Sequence, residues 1–284
     1  MRVDPALSGS FLLFAANDAV AGAELWRSEG TAATTVLVAD INPGLSSSSP
    51  TGIAQISDDP VLVVFSANGA MQSGREVYVS DGTSMGTEFL LDIYPGETGG
   101  VQFSTQPFPV VDGVACFVAE TPEAGLELWM TNGTTSGTQL IADVNAEPVS
   151  SNPSQESAAL ASGELVFSAS GSVQQGTELW KSDGTAAGTV LVKELRPGSL
   201  SSSPSQFVEY NGDVLFLATD DTNGQQLFST DGTSNGTQDF FEIGIIGFGG
   251  SAPVLYLYNS FVYFNVDRFP NGNELWRTDG TPVG

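Results

Sequence analysis

Short apolar runs recur along this chain at near-constant intervals: Phe11 to Phe14, Val61 to Phe65, Val114 to Val118, Leu165 to Phe167, Val214 to Leu217 and Phe261 to Phe264. Gly, Asn, Asp and Ser clusters bound each run, and this pattern predicts β-strands. No window carries apolar residues at i, i+3, i+4 and i+7 over helical length, so no helix is expected. A polar-aromatic signature follows each run, Glu-Leu-Trp-x-x-Asp-Gly-Thr or a close variant, at 24–31, 76–83, 127–134, 178–185, 226–233 and 274–281. Successive copies are offset by 52, 51, 51, 48 and 48 residues. A Gly-Thr pair trails the signature at Gly86-Thr87, Gly137-Thr138, Gly188-Thr189 and Gly236-Thr237, with Thr34-Thr35 in its place in the first copy. Features that share one register through six copies define an internal repeat.

Each repeat reads as four strands. In the fourth copy these are Ser157 to Leu160, Glu164 to Ala169, Thr177 to Ser182 and Thr189 to Lys193, with a loop from Gly171 to Gly176 and a tight turn from Asp183 to Gly188. Four antiparallel strands in about fifty residues match a propeller blade. The middle strands are apolar on both faces, as sheets packed between two neighbours require. The expected fold is therefore all-β, a β-propeller of about six four-stranded blades forming one domain over 1–284. The sixth copy ends before its fourth strand and the first begins on a strand remnant, so the chain is expected to be a piece of a longer protein, with ring closure left open.

Charge narrows the partners. Lys plus Arg number 8 against 33 Asp plus Glu, a formal net charge of −25. Nucleic acid and direct membrane insertion are excluded as expectations, the first by repulsion and the second by the lack of an apolar run of spanning length. Acidity suits an extracellular setting and leaves cation binding open. Cys116, the only cysteine, falls inside a strand and is expected to be a buried thiol. Phe11 to Ala15 superficially follows a signal-peptide order after Arg2, but its register with five other strands identifies it as a strand.

The segment Glu178 to Thr189, Glu-Leu-Trp-Lys-Ser-Asp-Gly-Thr-Ala-Ala-Gly-Thr, followed by Pro197-Gly198-Ser199, a Ser-rich stretch and Pro204, resembles the bacterial ELWxxDGT repeat family. The resemblance covers essentially the whole chain. It implies large secreted or surface-associated proteins, propeller-like folding and no established enzymatic activity. Signal and anchor would then lie outside this sequence. Copy five departs most, with Gln226-Leu227-Phe228, while copy two has Val77-Tyr78, copy one Glu29 and copy three Asn132.

The motif residues favour scaffold over chemistry. Trp26, Tyr78, Trp129, Trp180, Phe228 and Trp276 could stack on sugar rings, but exchange among Trp, Tyr and Phe keeps volume and loses the indole N–H, which favours packing between blades. Asp81, Asp183, Asp231 and Asp279 each precede Gly and are expected to shape turns; a calcium site would need more oxygen ligands than one per repeat. Glu24, Glu76, Glu127, Glu178 and Glu274 open the third strand. Burial would oblige them to find partners, and with so few cations those partners are expected to be backbone N–H groups of a neighbouring loop. Ligand recognition is expected in the variable loops between second and third strands. There Asp220, Asp221 and Asn223, with Asp267, form the best candidate binding set, and Asp220 and Asp221 the best candidate calcium ligands.

Catalytic signatures are missing. There is no histidine, which removes histidine triads and histidine-metal chemistry. The expected function is a non-enzymatic extracellular module, monomeric within a longer chain, binding polysaccharide or a surface protein and requiring no cofactor. The alternatives are a carbohydrate-active enzyme, which needs two closely spaced non-repeated acids, and a calcium-stabilised structural array.

Overall fold

The structure, a computed structural model, describes residues 6–8, 11–70, 74–96, 99–145, 149–172, 174–222, 224–241, 254–268 and 272–279. The chain divides into two compact units, 1–143 and 144–284. Each holds three antiparallel sheets whose strands follow one another in chain order.

In the first unit, sheet one comprises β1 (Ala6–Ser8), β2 (Phe11–Asn17), β3 (Ala23–Ser28) and β4 (Val36–Ala39). Sheet two comprises β5 (Thr51–Asp58), β6 (Val61–Asn68), β7 (Arg75–Ser80) and β8 (Glu88–Leu91), and sheet three β9 (Val110–Val111), β10 (Val114–Thr121), β11 (Gly125–Thr131) and β12 (Gln139–Ala142). In the second unit, sheet four comprises β13 (Ser157–Ala159), β14 (Leu165–Ser172), β15 (Gln175–Ser182) and β16 (Val190–Lys193). Sheet five comprises β17 (Ser205–Tyr210), β18 (Asp213–Asp220), β19 (Gly224–Thr230) and β20 (Gln238–Phe241). Sheet six has three strands among the described residues: β21 (Tyr256–Tyr258), β22 (Phe261–Arg268) and β23 (Gly272–Thr278).

The loop expected from Gly171 to Gly176 is shorter than the sequence suggests. Strands β14 and β15 continue through it until Ser172 pairs with Gln175, and Ser170 Oγ and Thr177 Oγ1 join across the hairpin at 2.9 Å. Cross-strand hydroxyl pairing thus overrides the glycines as strand breakers.

Period-two alternation sends successive side chains of each central strand to opposite faces. On β6, Val63, Phe65 and Ala67 meet Leu13, Leu25 and Val38 of sheet one, while Val64 on the other face meets Ala115, Phe117 and Trp129 of sheet three. The second unit repeats the arrangement: Phe216 and Phe228 pack on Val166, Leu179 and Val192, whereas Leu215, Leu217 and Leu227 receive Phe264. Each interface inside a unit therefore presses one sheet's aromatic face onto the aliphatic face of the sheet before it.

The motif aromatic always stands opposite a phenylalanine, as in Phe65↔Tyr78, Phe117↔Trp129 and Phe216↔Phe228. Two of these pairs stack, with ring centroids 5.7 and 5.6 Å apart. Each wholly buried Phe contributes about 2–3 kcal/mol of hydrophobic stabilisation. The indole N–H groups of Trp26, Trp129 and Trp180 make no hydrogen bond among the described residues. That explains why Tyr78 and Phe228 can replace them. Cys116 is buried, which pushes its thiol up to about 12.

A β-bulge falls at the same motif step in five sheets, Leu25/Trp26, Val77/Tyr78, Leu128/Trp129, Leu179/Trp180 and Leu227/Phe228. Beyond it the Asp-Gly-Thr turn closes on itself. Asp183 Oδ1 accepts both Thr185 N–H at 2.9 Å and Thr185 Oγ1–H at 2.7 Å, Thr185 Oγ1 accepts Gly188 N–H at 3.0 Å, and Thr189 Oγ1 donates to Thr185 O at 2.7 Å. Asp81, Asn132 and Asp231 repeat the geometry, so Asn132 serves as well as aspartate. The threonine hydrogen bonds hold Asp183 and Asp231 below the usual carboxylate range.

The second glycine is required because the carboxylate occupies its side-chain space: a β-carbon on Gly188 would lie 2.0 Å from Asp183 Oδ1. The first repeat departs at both positions together. Glu29 replaces the aspartate, Thr34 replaces the glycine, and Thr34 Oγ1 now accepts the N–H groups of Glu29 and Thr31. The two departures compensate each other. Gly188→Ala should accordingly lower stability by about 1–3 kcal/mol. Asp183→Ala in the same chain should make the double variant less destabilised than the two single losses added; urea unfolding of the four proteins measures the coupling, and strict additivity would refute the proposed clash.

Candidate functional site

The motif glutamates are the most deeply placed acids. Glu24, Glu76, Glu127 and Glu178 are wholly buried, as is Gln226 in the fifth copy. Each pairs across the sheet with an alanine, Ala16, Ala67, Ala119, Ala169 or Ala218, whose small side chain leaves room for the carboxylate on that face. The sixth copy differs: Glu274 pairs with Val266 and is exposed, so the demand for buried donors does not arise there.

Three carboxylates have their partners defined, and the partners recur at fixed offsets. Glu24 accepts Ile41 N–H at 2.9 Å and Ser48 N–H at 2.8 Å, with Ser48 Oγ–H at 2.5 Å. Glu76 accepts Ile93 N–H at 3.1 Å and Gly100 N–H at 2.5 Å. Glu178 accepts Leu195 N–H at 2.7 Å and Ser202 N–H at 3.1 Å, with Ser202 Oγ–H at 2.7 Å. The donors belong to the linker that leaves one sheet for the next. The same linker is tied forward: Ser48 O accepts Asn68 N–H from sheet two, and Ser202 O accepts Thr219 N–H from sheet five. Each of these three glutamates is thus a staple between its own sheet and the linker to the next.

Burial raises Glu76 to about 7, against the opposing pull of its backbone donors, and raises Glu178 as well. Glu24, Glu76 and Glu178 hold linkers in place through these bonds.

The described candidate loop acids each have a partner of their own. Asp221 pairs with Arg196 Nε at 2.9 Å, and Arg196 in turn donates through Nη1 to Ser201 O, beside the Glu178 staple. Asp220 Oδ1 accepts Thr222 N–H at 2.8 Å. Asn223 lies outside the described residues. Asp267 pairs with Asn273 in the sixth sheet's hairpin, and its side chain is likewise outside them. Among the described residues no three His, Cys, Asp or Glu side chains lie together in a way that could hold a metal ion.

A cavity of ≈ 510 Å³ opens in the first unit where β2 ends, β3 and β5 begin, and the connection into β9 passes. Its size falls in the ordinary range for small-ligand sites. Asn17, Ser49, Thr51, Phe103, Thr105 and Gln106 supply its polar and aromatic lining, and no lining residue is charged. In a chain with 33 acids that neutrality is distinctive.

Arg75 braces the wall from behind. Its Nη1 donates to Thr51 Oγ1 and to Ser66 O at 3.1 Å each, its Nη2 to Ser49 O at 3.0 Å, and its guanidinium lies 5.3 Å from the Phe103 ring centroid. Burial draws its pKa below the usual value. Close packing completes the wall: Gly52, at φ +70°, abuts the Phe108 ring so tightly that a β-carbon would lie 2.4 Å from it. Nothing in a linear motif marks this site. The visible hints were the cationic Arg75 where other repeats carry neutral residues, and an exposed phenylalanine in a connection.

No protein-family model matches the chain, and the curated proteins contain no match. Solved structures do. The chain is similar to a puromycin-hydrolyzing peptidase of Mycobacterium tuberculosis, at TM-score 0.55 and 13% identity over 99% of this chain and 43% of that one. It is also similar to apo prolyl oligopeptidase B from Galerina marginata, at TM-score 0.57 and 11% identity over 99% of this chain and 43% of that one. The likeness is to propeller-type domains. At such identities it bears on fold alone, and the chain spans less than half the length of either peptidase.

Replacing a staple separates its parts. Glu178→Ala strands the N–H groups of Leu195 and Ser202 and should cost about 2–4 kcal/mol, while Glu178→Gln, which keeps one acceptor, should cost about 1 kcal/mol. Urea midpoints measure both, and equal losses would contradict the staple. Glu76 sets a pH dependence. Its folded value of about 7 exceeds the ordinary 4.5, so its contribution is full below 4.5 and is lost as pH rises through 7. The wild-type urea midpoint should fall between about pH 5 and about pH 8, and Glu76→Gln should flatten that fall. An unchanged slope would count against it.

Proposed function

We propose that this chain is a non-enzymatic extracellular repeat module of the ELWxxDGT kind, a propeller-like array of about six blades that binds its partner at the loop end of its sheets. The neutral cavity beside Arg75 carries the proposal. It has the size of a ligand site, a rigid wall and an exposed aromatic side chain. Its lining offers no carboxylate pair, which favours binding over glycoside hydrolysis. The engagement of Asp221 by Arg196 and of Asp220 by the Thr222 N–H favours it over a calcium-stabilised array. Polysaccharide and a surface protein remain the two partner classes, with the acidic exterior limiting non-specific adhesion to anionic surfaces.

Thr105, exposed at the cavity rim, provides the test. Thr105→Trp should abolish retention on immobilised cell-wall polysaccharide or surface-protein extracts while leaving Tm within a degree or so, about the effect of a neutral surface change. The same incubations should release no new reducing ends. Product release that Thr105→Trp eliminates would overturn the non-enzymatic assignment.

A further inference from the structure

The chemistry of the cavity wall is selective. Asn17 and Gln106 carry amides, and Ser49, Thr51, Ser104 and Thr105 carry hydroxyls, side chains that both donate and accept hydrogen bonds. A peptide backbone offers one donor and one acceptor per residue, whereas a sugar ring offers several hydroxyls that each do both. Phe103, 55% exposed, adds one flat apolar surface. Arg75 and the Ser104–Gln106 turn, in which Ser104 Oγ donates to Gln106 O at 2.7 Å and accepts Gln106 N–H at 3.2 Å, restrain that segment. The Arg75 N–H groups that reach this wall are directed to Ser49, Thr51 and Ser66. No cation lines the cavity to neutralise an acid, and the net charge of −25 opposes anionic ligands.

We propose that this cavity binds a neutral sugar residue, with the apolar face of the ring on Phe103 and its hydroxyls on the side chains of Asn17, Thr105 and Gln106. The assignment rests on the binding role proposed above and names its ligand class. Phe103 sets the affinity by stacking, and Arg75 acts as a positioning residue that holds the wall to which Phe103 belongs.

The full chain titrated by calorimetry with neutral gluco-, xylo- and manno-oligosaccharides, a uronic-acid oligomer and a neutral proline-rich peptide tests this directly. At least one neutral oligosaccharide should bind and the uronic-acid oligomer should not. Phe103→Ala should weaken the complex about tenfold or more, and Phe103→Trp should retain it. Both variants should unfold close to wild type, because the ring is more than half exposed. Peptide binding blocked by Thr105→Trp, with no saccharide bound, would refute the sugar assignment and leave the binding role standing. Failure of every probe, together with partner retention unaffected by Thr105→Trp, would remove both. Sugar binding indifferent to Phe103→Ala would refute the stacking geometry.

Discussion

The buried carboxylate at the head of the third strand in the first four repeats is the constraint on which the rest of the structure depends. Placing a glutamate in a dry interface is costly unless its oxygens are filled, and eight cations cannot serve a chain with 33 acids. Backbone N–H groups of the following linker fill them instead. The linker must then run close beside its own sheet before entering the next, and its carbonyls are directed forward to the next second strand. One side chain therefore satisfies itself, orders an irregular segment and sets the step between neighbouring sheets. Gln226 occupies the same buried position in the fifth copy, so shape and acceptor capacity matter there as well as charge.

Two further devices act within that frame. The aromatic pair on one face of a sheet meets Leu and Val on the preceding one, so the interface has a direction and can propagate. The Asp-Gly-Thr turn is closed by local hydrogen bonds that span two to seven residues, which lets it tolerate Asn132 and the joint Glu29 and Thr34 exchange. Departures from the motif fall where the geometry supplies a substitute, not at random.

The cavity is distinct from this scaffold. The repeated acids are consumed by linkers and turns, while the cavity adds two features that do not repeat, an arginine at the start of β7 and a phenylalanine in a connection, to a neutral rim. A regular array holds one irregular site rigidly, because the groups that support it are backbone carbonyls and hydroxyls of two adjoining strands.

Much of this was legible in the amino-acid sequence by itself. It determined the repeat, its register, the strands, the turns at Asp81, Asp183 and Asp231, and the need of the buried glutamates for uncharged donors, because these follow from contacts a few residues apart or from charge scarcity. It did not reveal the length of the fourth hairpin, the exposure of Glu274 or the pairing of Asp221 with Arg196. Only the tertiary structure decided which amides, 17 and 24 residues downstream, meet each glutamate, and that Asn17, Ser49 and Phe103 share one wall. The physical reason is distance along the chain: periodicity records which side of a strand a residue occupies, whereas a cavity depends on how separate sheets and their linkers come together in space.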